Sequence, residues 1–469
     1  MRPRWTIIPR YDEDMSDIRF GTDGWRGVIA RDFTFQNLIK VAEAYAKHLQ
    51  DQGKAKVAVG YDTRFMADRF AEEAAQVLAK AGLEVHLSPG PLPTPVLSFA
   101  VVHLGADGGL MLTASHNPPE YLGVKIKGPY GGSATPEMVK EVEARLGQKP
   151  EERPGGRVLK LSVREAYYEK LKTLLDLEAL KAFPGVLYHD AMGGAGGGWI
   201  AGFVRYAGLP LQVRELHNVP HPLFYGVNPE PLPKNLGTLL AVMKPEEPPT
   251  FAAVTDGDAD RVGAVLAGGR FFNSHQIFAV LLKHLHGKGL RGRVVKTFSV
   301  SRVVDRLGEV LGLEVLTTPV GFKYITEEFL KGGVLIGGEE SGGIGVAGHI
   351  PERDGVLNSL LLAEAVAKTG KDLGTLFREI EEETGLRHAY DRLDLHLERP
   401  VSLDRFREPR PMAGLEVERV EELDGIKWHF KGAWVLFRPS GTEPVLRIYC
   451  EAETPELVAR ILEEAKGLV

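Results

Sequence analysis

The sequence predicts an α/β protein of three similar α/β domains with mixed or parallel sheets, followed by a smaller C-terminal α+β domain. The chain has 469 residues, which suggests about three domains and leaves room for four. A strand–helix–strand pattern recurs three times, and the last ninety or so residues depart from it. The predicted domains cover residues 16–156, 157–268, 269–380 and 381–469.

The repeated unit is a strand, a polar turn, an amphipathic helix and a second strand. A Gly-Leu step ends the helix in each copy, because glycine accepts the left-handed conformation that closes a helix. Such units favour parallel sheets whose loops gather at the carboxyl ends of the strands, where ligands bind. The paired strands are expected within residues 56–64, where a turn follows the strand, and 82–87; at 185–190 and 208–213; and at 293–298 and 312–316.

Composition narrows the class of protein. The single cysteine, Cys450, excludes an internal disulfide and is expected to be a small core residue. The N-terminus lacks the apolar segment of a signal peptide, and no apolar run approaches the ~18 residues of a membrane span. A formal net charge of −6 argues against nucleic acid as a partner but permits a small anionic substrate. We therefore expect a cytoplasmic protein of unassigned oligomeric state.

Ser115 lies on a polar turn that follows the apolar run Leu110–Leu112 and ends in Pro118-Pro119. A turn of this kind presents a hydroxyl nucleophile at the rim of a sheet. Serine is also common in ordinary turns. These residues alone leave both interpretations open.

Asp256, Asp258 and Asp260 alternate with small residues after an apolar strand. Three carboxylates so close repel one another unless a cation compensates them, and hard oxygen ligands suit Mg²⁺. An EF-hand is excluded, because Arg261 and Ala267 occupy the positions that need Gly and Glu. The alternative is a solvated acidic turn. With only three carboxylates, Mg²⁺ would keep open sites, and a phosphorylated Ser115 could supply one more oxygen.

Three glycine-rich loops could bind other parts of a substrate. Gly338–Gly343 offers carboxylates and a hydroxyl to sugar hydroxyls, although an incidental turn is an equal interpretation. Arg438–Pro444 combines a guanidinium, hydroxyls and backbone amides, which suits a phosphate, but it could also be a plain hairpin turn. Phe20–Gly27 could project Arg26 into the same place.

These five motifs, in this order, resemble those of the α-D-phosphohexomutase family over about residues 18–450. The resemblance implies four domains around a central cleft, each giving one loop. It implies that Ser115 is a phosphoserine that gives its phosphoryl group to a sugar and takes back another. Asp256, Asp258 and Asp260 would then bind Mg²⁺ together with the phosphate on Ser115.

The resemblance also implies roles for other side chains. Arg26 and Lys125 would flank the phosphoryl group, with Lys125 a candidate for proton transfer and His116 counted in the catalytic group. Glu339 and Ser341 would hold the sugar hydroxyls. The non-reacting phosphate is assigned to Arg438, Ser440, Gly441 and Thr442, and further substrate contacts are assigned to Arg261, Lys323, His349 and Arg353.

The implied activity is a phosphohexomutase that interconverts hexose 1-phosphate and hexose 6-phosphate, of glucose or mannose. A sugar 1,6-bisphosphate would be both intermediate and activator. The cleft must exclude water, so we expect residues 381–469 to close over it. Gly343 stands where some dual-specificity relatives carry histidine, which favours the phosphoglucomutase type. The alternatives are a Mg²⁺-dependent sugar phosphomonoesterase, a mutase for phosphoglucosamine or pentose phosphate, and a non-catalytic sugar-phosphate binding protein.

Overall fold

The computed structural model describes residues 18–21, 23–397, 401–439 and 445–469. Four sheets form in chain order, three mixed and one antiparallel, and helices pack on each of them. This architecture confirms the predicted fold class. Within the described residues, no helix combines the length and the apolar composition that crossing a bilayer would need.

The first sheet has six strands in the order β1-β5-β4-β2-β3-β6. Its last strand, β6, pairs with β3 and therefore extends the sheet past the predicted boundary at residue 156. This edge strand is mostly exposed, so it lacks the apolar pattern that would have revealed it. The elements are β1 Trp25–Val28, α1 Phe35–Asp51, β2 Lys56–Tyr61, α2 Ala67–Lys80, β3 Glu84–Leu87, α3 Thr94–His103, β4 Gly108–Leu112, β5 Tyr121–Lys127, α4 Pro136–Glu143 and β6 Arg157–Lys160.

The second sheet has five strands in the order β11-β10-β9-β7-β8. Gly268 and Gly269, both with positive φ, turn the chain from β10 into β11. The predicted boundary at residue 268 thus falls inside a hairpin. The elements are α5 Arg164–Leu174, α6 Leu177–Lys181, β7 Val186–Asp190, α7 Trp199–Tyr206, β8 Gln212–Leu216, α8 Gly237–Met243, β9 Phe251–Thr255, β10 Val262–Leu266 and β11 Arg270–Phe272.

The third sheet has four strands in the order β13-β12-β14-β15. Helices surround it, and α9 and α12 also contact strands of the second sheet. The elements are α9 Ser274–Gly287, β12 Arg293–Thr297, α10 Arg302–Val310, β13 Val315–Thr318, α11 Phe322–Leu330, β14 Val334–Gly338, β15 Ile344–Val346, α12 Gly355–Thr369 and α13 Leu373–Thr384.

Glycine ends the repeated helices as predicted: φ is +87° at Gly82, +63° at Gly208 and +69° at Gly312. The amide after each glycine donates back into the helix, for example from Leu83 to the Leu78 carbonyl, which is the Schellman arrangement. The following strands therefore start later than predicted. They begin at Glu84, Gln212 and Val315.

The three mixed sheets share one topology. In each, a central strand (β2, β7 or β12) is parallel to the two strands that follow it, and the second of these turns back into an antiparallel hairpin. The hairpins are β4–β5, β9–β10 and β14–β15. We call their connections the serine turn (residues 113–120), the aspartate turn (256–261) and the glutamate turn (339–343). The repeat in the sequence thus places three functional loops at equivalent points.

The fourth sheet is antiparallel, in the order β16-β20-β19-β18-β17, with one long helix packed on it. Cys450 is fully buried in its core, as predicted. The elements are β16 Ala389–His396, β17 Val417–Glu422, β18 Ile426–Phe430, β19 Ala433–Pro439, β20 Val445–Ala452 and α14 Pro455–Lys466.

Glu451, fully buried on β20, ties the fourth sheet to the third domain. Its carboxylate accepts hydrogen bonds from the Arg302 amide at 3.0 Å and from His388 Nδ1 at 2.7 Å. Trp434 Nε1 at 2.5 Å and the Ser301 hydroxyl also donate to it. Although burial opposes ionisation, the hydrogen bonds from His388 and Ser301 lower the pKa of Glu451 below its usual range.

Replacing Glu451 with glutamine should destabilise the protein by about 2 kcal/mol, because the neutral amide weakens several charge-assisted hydrogen bonds inside the core. Urea unfolding followed by tryptophan fluorescence would show a lower midpoint. Glu453→Gln is the matched control, since Glu453 is exposed on the same stretch of chain. Equal midpoints for the two variants would contradict the role given to Glu451.

Candidate active site

The three turns meet and interlock. The Val262 amide, at the end of the aspartate turn, donates to the Gly342 carbonyl of the glutamate turn at 3.0 Å. The aspartate turn presses on the serine turn so closely that a Cβ at Gly257 would lie 2.4 Å from the Ser115 carbonyl oxygen. The Thr94 amide, at the start of α3, donates to the Asp258 carbonyl at 2.8 Å. Side chains from three domains therefore converge on one point.

Ser115 is fully buried between these turns. The prediction that it is displayed at the open rim of a sheet is therefore wrong, because the aspartate turn packs against it. Its backbone is left-handed, with φ of +50°, a conformation that costs a non-glycine residue about 1–3 kcal/mol. The Ser115 amide donates to Thr113 Oγ1 at 2.8 Å, and its hydroxyl donates to Asp256 Oδ2 at 2.8 Å. The Ser115 hydroxyl thus points to the aspartate turn.

Arg64, which the sequence did not single out, holds the serine turn in shape. Its side chain is buried and paired with Asp62, and its guanidinium lies over the Phe224 ring at 4.8 Å. Its terminal nitrogens donate, at 2.7 to 2.9 Å, to the carbonyl oxygens of Ser115, Asn117, Pro118 and Tyr121. The planar Arg64 guanidinium thus holds four carbonyl groups in and beside the serine turn in a fixed arrangement.

Replacing Arg64 with lysine should lower kcat about 100-fold while leaving KM nearly unchanged. A lysine cannot span four carbonyls, so the serine shifts, and small misplacements of a reacting group cost rate rather than binding. Steady-state kinetics would measure this split, with Arg69→Lys on the exposed face of α2 as control. A rise in KM with kcat unchanged would show that Arg64 does not position the serine.

Asp256, Asp258 and Asp260 are fully buried, and one oxygen from each lies within 4.8 Å of the others. Burial and the two neighbouring carboxylates raise the pKa of Asp256 well above its usual value. Among the described residues, Asp258 Oδ1 and Asp260 Oδ1 have no hydrogen-bond partner. Clustered carboxylates with unpartnered oxygens fit a hard divalent cation and do not fit a solvated acidic turn.

Lys125, 1% exposed on β5, links the first domain to these carboxylates. Its Nζ lies 2.8 Å from Asp258 Oδ2, 2.7 Å from Asp260 Oδ2 and 2.8 Å from Asp23 Oδ2. Burial opposes its charge, but the Asp23 and Asp258 carboxylates raise the pKa of Lys125 above its usual value. This environment suits charge neutralisation better than release of a proton.

Asp23 was part of the N-terminal motif, but only Arg26 was assigned from it. Asp23 sits between Lys125 and Arg353, 2.8 Å from a nitrogen of each. Arg26 hydrogen-bonds to the Asn117 side chain of the serine turn. A single carboxylate in a glycine-rich loop gave no sequence signal for its role as a bridge.

Arg353, 1% exposed, joins the third domain to the centre of the site. Its guanidinium contacts Asp260 Oδ2 at 3.2 Å and Glu339 Oε2 at 3.6 Å, and it stacks over the Phe322 ring. A Cβ at Gly343 would lie 2.3 Å from Arg353 Cδ, so Arg353 fills the space of a side chain at that position.

Three buried polar atoms of the cleft lack a hydrogen-bond partner among the described residues and so can bond to a ligand: His116 Nδ1, Arg261 Nε and Ser341 Oγ. Burial and the nearby Arg261 and Arg26 guanidinium groups lower the pKa of His116 well below its usual value, which keeps the imidazole neutral. Burial raises the pKa of Glu339.

The remaining predicted substrate contacts lie at different places. Lys323 is near the site, since burial lowers its pKa and the Asp23 carboxylate opposes this effect. His349 is committed to a buried hydrogen bond, 2.9 Å from Asp354 Oδ2, beside Tyr167, and no described contact joins it to the three turns. The Lys323 ammonium lies 5.4 Å from the Tyr324 ring centroid. Arg438 pairs with Asp424 at 3.1 Å on the fourth sheet. Ser440, Gly441 and Thr442 lie outside the described residues.

Family profiles of phosphoglucomutase/phosphomannomutase match the chain in four consecutive stretches. The α/β/α domains I, II and III match residues 17–153, 165–269 and 273–383, and the C-terminal domain matches residues 403–467. The chain belongs to the phosphoglucomutase/phosphomannomutase family. The predicted family is thereby confirmed.

Relatives match over nearly their whole length. The chain is 30% identical to a phosphoglucomutase/phosphomannomutase of Thermococcus kodakarensis over 453 residues, covering 95% of this chain and 96% of that protein. It is also 30% identical to a phosphoglucosamine mutase of Caldicellulosiruptor saccharolyticus over 471 residues, covering 96% and 98%. A solved structure from Thermus thermophilus, provisionally described as a phosphomannomutase, shares 58% identity with a TM-score of 0.89 and covers 96% and 98%.

Members of the phosphoglucomutase/phosphomannomutase family are intramolecular phosphotransferases, and this chain is an enzyme of that class. The enzyme class predicted from the motifs is therefore confirmed. The relatives carry different sugar names, so the comparisons support a hexose-phosphate mutase without selecting its sugar.

Proposed function

We propose that this enzyme interconverts the 1-phosphates and 6-phosphates of glucose and mannose through a phosphorylated Ser115 and a sugar 1,6-bisphosphate. One observation carries the proposal: the Ser115 hydroxyl lies 2.8 Å from Asp256 Oδ2, within a buried group of three carboxylates. A serine beside a metal-binding cluster is placed to carry a phosphoryl group.

Mg²⁺ fits this cluster, with Asp256, Asp258, Asp260 and the phosphoserine as its ligands. When bound, it would supply positive charge to the phosphoryl group during transfer. The chain itself adds Lys125 and Arg26 beside the same group. Arg64 keeps the serine turn rigid, so little reorganisation is needed at the moment of transfer.

Glu339, Ser341 and Arg353 form the sugar side of the cleft. The unpartnered Ser341 hydroxyl and the Glu339 carboxyl can exchange hydrogen bonds with sugar hydroxyls, and Arg353 holds Glu339 in place. Hydroxyls in a hexose lie on both faces of the ring, so such contacts serve either orientation of the bisphosphate. The non-reacting phosphate is assigned to the loop that begins at Arg438.

A mutase for phosphoglucosamine is the second candidate, because several relatives at 30% or 31% identity bear that name, one of them from Caldicellulosiruptor saccharolyticus. The two candidates differ by an amino group in place of one hydroxyl. Gly343 leaves room for Arg353, which occupies the space that a side chain at position 343 would fill. A larger residue there would displace the guanidinium that contacts Glu339 on the sugar side of the cleft.

The test is an isomerisation assay with Mg²⁺ and a trace of the matching 1,6-bisphosphate, using the 1-phosphates of glucose, mannose and glucosamine in parallel. Phosphorus NMR separates the 6-phosphate product from inorganic phosphate. We expect 6-phosphate from glucose and mannose substrates, with little free phosphate. Product from glucosamine alone would select the second candidate, and steady release of free phosphate without isomerisation would indicate a phosphomonoesterase.

A further inference from the structure

A cavity of about 430 Å³ lies between the third and fourth domains, away from the three turns. Lys296, Phe298 and Arg302 line it from the third domain. Lys427 and Trp434 line it from the fourth sheet. None of its lining residues belongs to the serine, aspartate or glutamate turn.

Two buried lysines face each other across this interface. Lys296 and Lys427 are each 4% exposed. The positive charge of Lys296 is compensated by Asp305, since Lys296 Nζ lies 2.9 Å from Asp305 Oδ2. Lys427 donates to the Phe298 carbonyl, and its ammonium lies 4.2 Å and 4.5 Å from the ring centroids of Phe298 and Trp434. Among the described residues it forms no salt bridge.

The charged side chains that line the cavity leave one positive charge uncompensated: the cations are Lys296, Arg302, Arg419 and Lys427, and the carboxylates are Asp305, Glu418 and Glu421. Burial and the Lys296 ammonium lower the pKa of Lys427 to about 7, against the opposing effect of Glu421, Asp305 and Glu451. Glu421 is engaged by His429 at 2.9 Å and by Arg419 at 3.2 Å, and Glu451 by the hydrogen bonds described above. Burial and Arg419 lower the pKa of His429 to about 4, so this imidazole is neutral.

We propose that this cavity binds a free inorganic oxyanion of the phosphate type, with Lys427 as its central ligand. An oxyanion there would supply the missing counter-charge, and the Arg302 and Arg419 guanidinium groups in the lining offer further donors. The site is built from both domains, so a bound anion would bridge them. Nothing in the proposed mutase reaction uses this cavity.

Sulfate is the probe, because its charge stays constant between pH 6.5 and 8.5. Isothermal titration at pH 6.5 should find one more sulfate per chain bound to the unaltered protein than to Lys427→Met. Lys427→Gln, which keeps a donor but no charge, should show the same loss. Lys431→Met is the matched control, since Lys431 is exposed on the adjoining turn outside the lining, and it should bind as many sulfates as the unaltered protein.

The pH dependence distinguishes this site from the active site. The Lys427-dependent binding should weaken about 25-fold from pH 6.5 to 8.5, because an ammonium with a pKa of about 7 loses its proton over that range. Anion binding by arginines of the active site should not change in this way. Equal sulfate numbers in the unaltered protein and both Lys427 variants, or Lys427-dependent binding that is as tight at pH 8.5, would overturn the proposal.

Discussion

Replacing Ser115 with alanine should reduce mutase turnover by at least about 1,000-fold, because the covalent carrier of the phosphoryl group is lost. The fold should survive, since only the hydroxyl and its hydrogen bond to Asp256 are removed. Arg64 still holds the carbonyls of the serine turn. Substrate binding should also persist, because the proposed sugar contacts come from the glutamate turn.

Turnover with glucose 1-phosphate, Mg²⁺ and bisphosphate is the measurement. Ser98→Ala is the matched control: Ser98 is fully buried on α3, and its hydroxyl has no hydrogen-bond partner among the described residues. The control should keep full activity. An alanine variant at position 115 that turns over like the control would rule out a covalent role for the serine.

Replacing Asp256 with asparagine should have two opposite effects. Turnover should fall about 1,000-fold, because the proposed metal site loses a charged ligand and the Ser115 hydroxyl loses its carboxylate acceptor. Thermal stability in EDTA should rise, because three buried carboxylates repel one another and the asparagine removes one of those charges. Function and stability are thus opposed at this turn.

Melting temperatures with EDTA and with Mg²⁺ would test both effects. The unaltered protein should be stabilised by Mg²⁺, since a ligand that binds only the folded state raises its stability. The asparagine variant should start higher in EDTA and gain much less from Mg²⁺. Asp68→Asn, exposed on α2, should behave like the unaltered protein. A variant at position 256 that melts lower in EDTA would show that the aspartates do not strain the metal-free fold.

The sequence predicted those features that are encoded locally. The repeated strand–helix–strand pattern, with its Gly-Leu helix ends, located the strands that lead into the three turns. The alternation of Asp256, Asp258 and Asp260 was visible because all three ligands lie on one turn. Edge strands β6 and β11 were missed in placing the domain boundaries, because an exposed strand and a glycine pair carry little apolar pattern.

Contacts between distant segments could not be predicted in this way. Arg64 reaches the Ser115 carbonyl across 51 residues, and Lys125 reaches Asp260 across 135 residues. The sequence around Arg64 or Lys125 does not indicate which distant carbonyl or carboxylate the side chain will contact. Asp23 shows the same limit, because its role depends on Lys125 and Arg353, which distant segments bring beside it.

The central claim is that Ser115 carries the phosphoryl group between sugars. The enzyme can be incubated with glucose 1,6-bisphosphate labelled in its phosphates, washed, and digested for peptide mass spectrometry. We expect the label on Ser115, and its transfer to sugar when unlabelled glucose 1-phosphate is added. Absence of label from Ser115, or its release only as inorganic phosphate, would contradict the account.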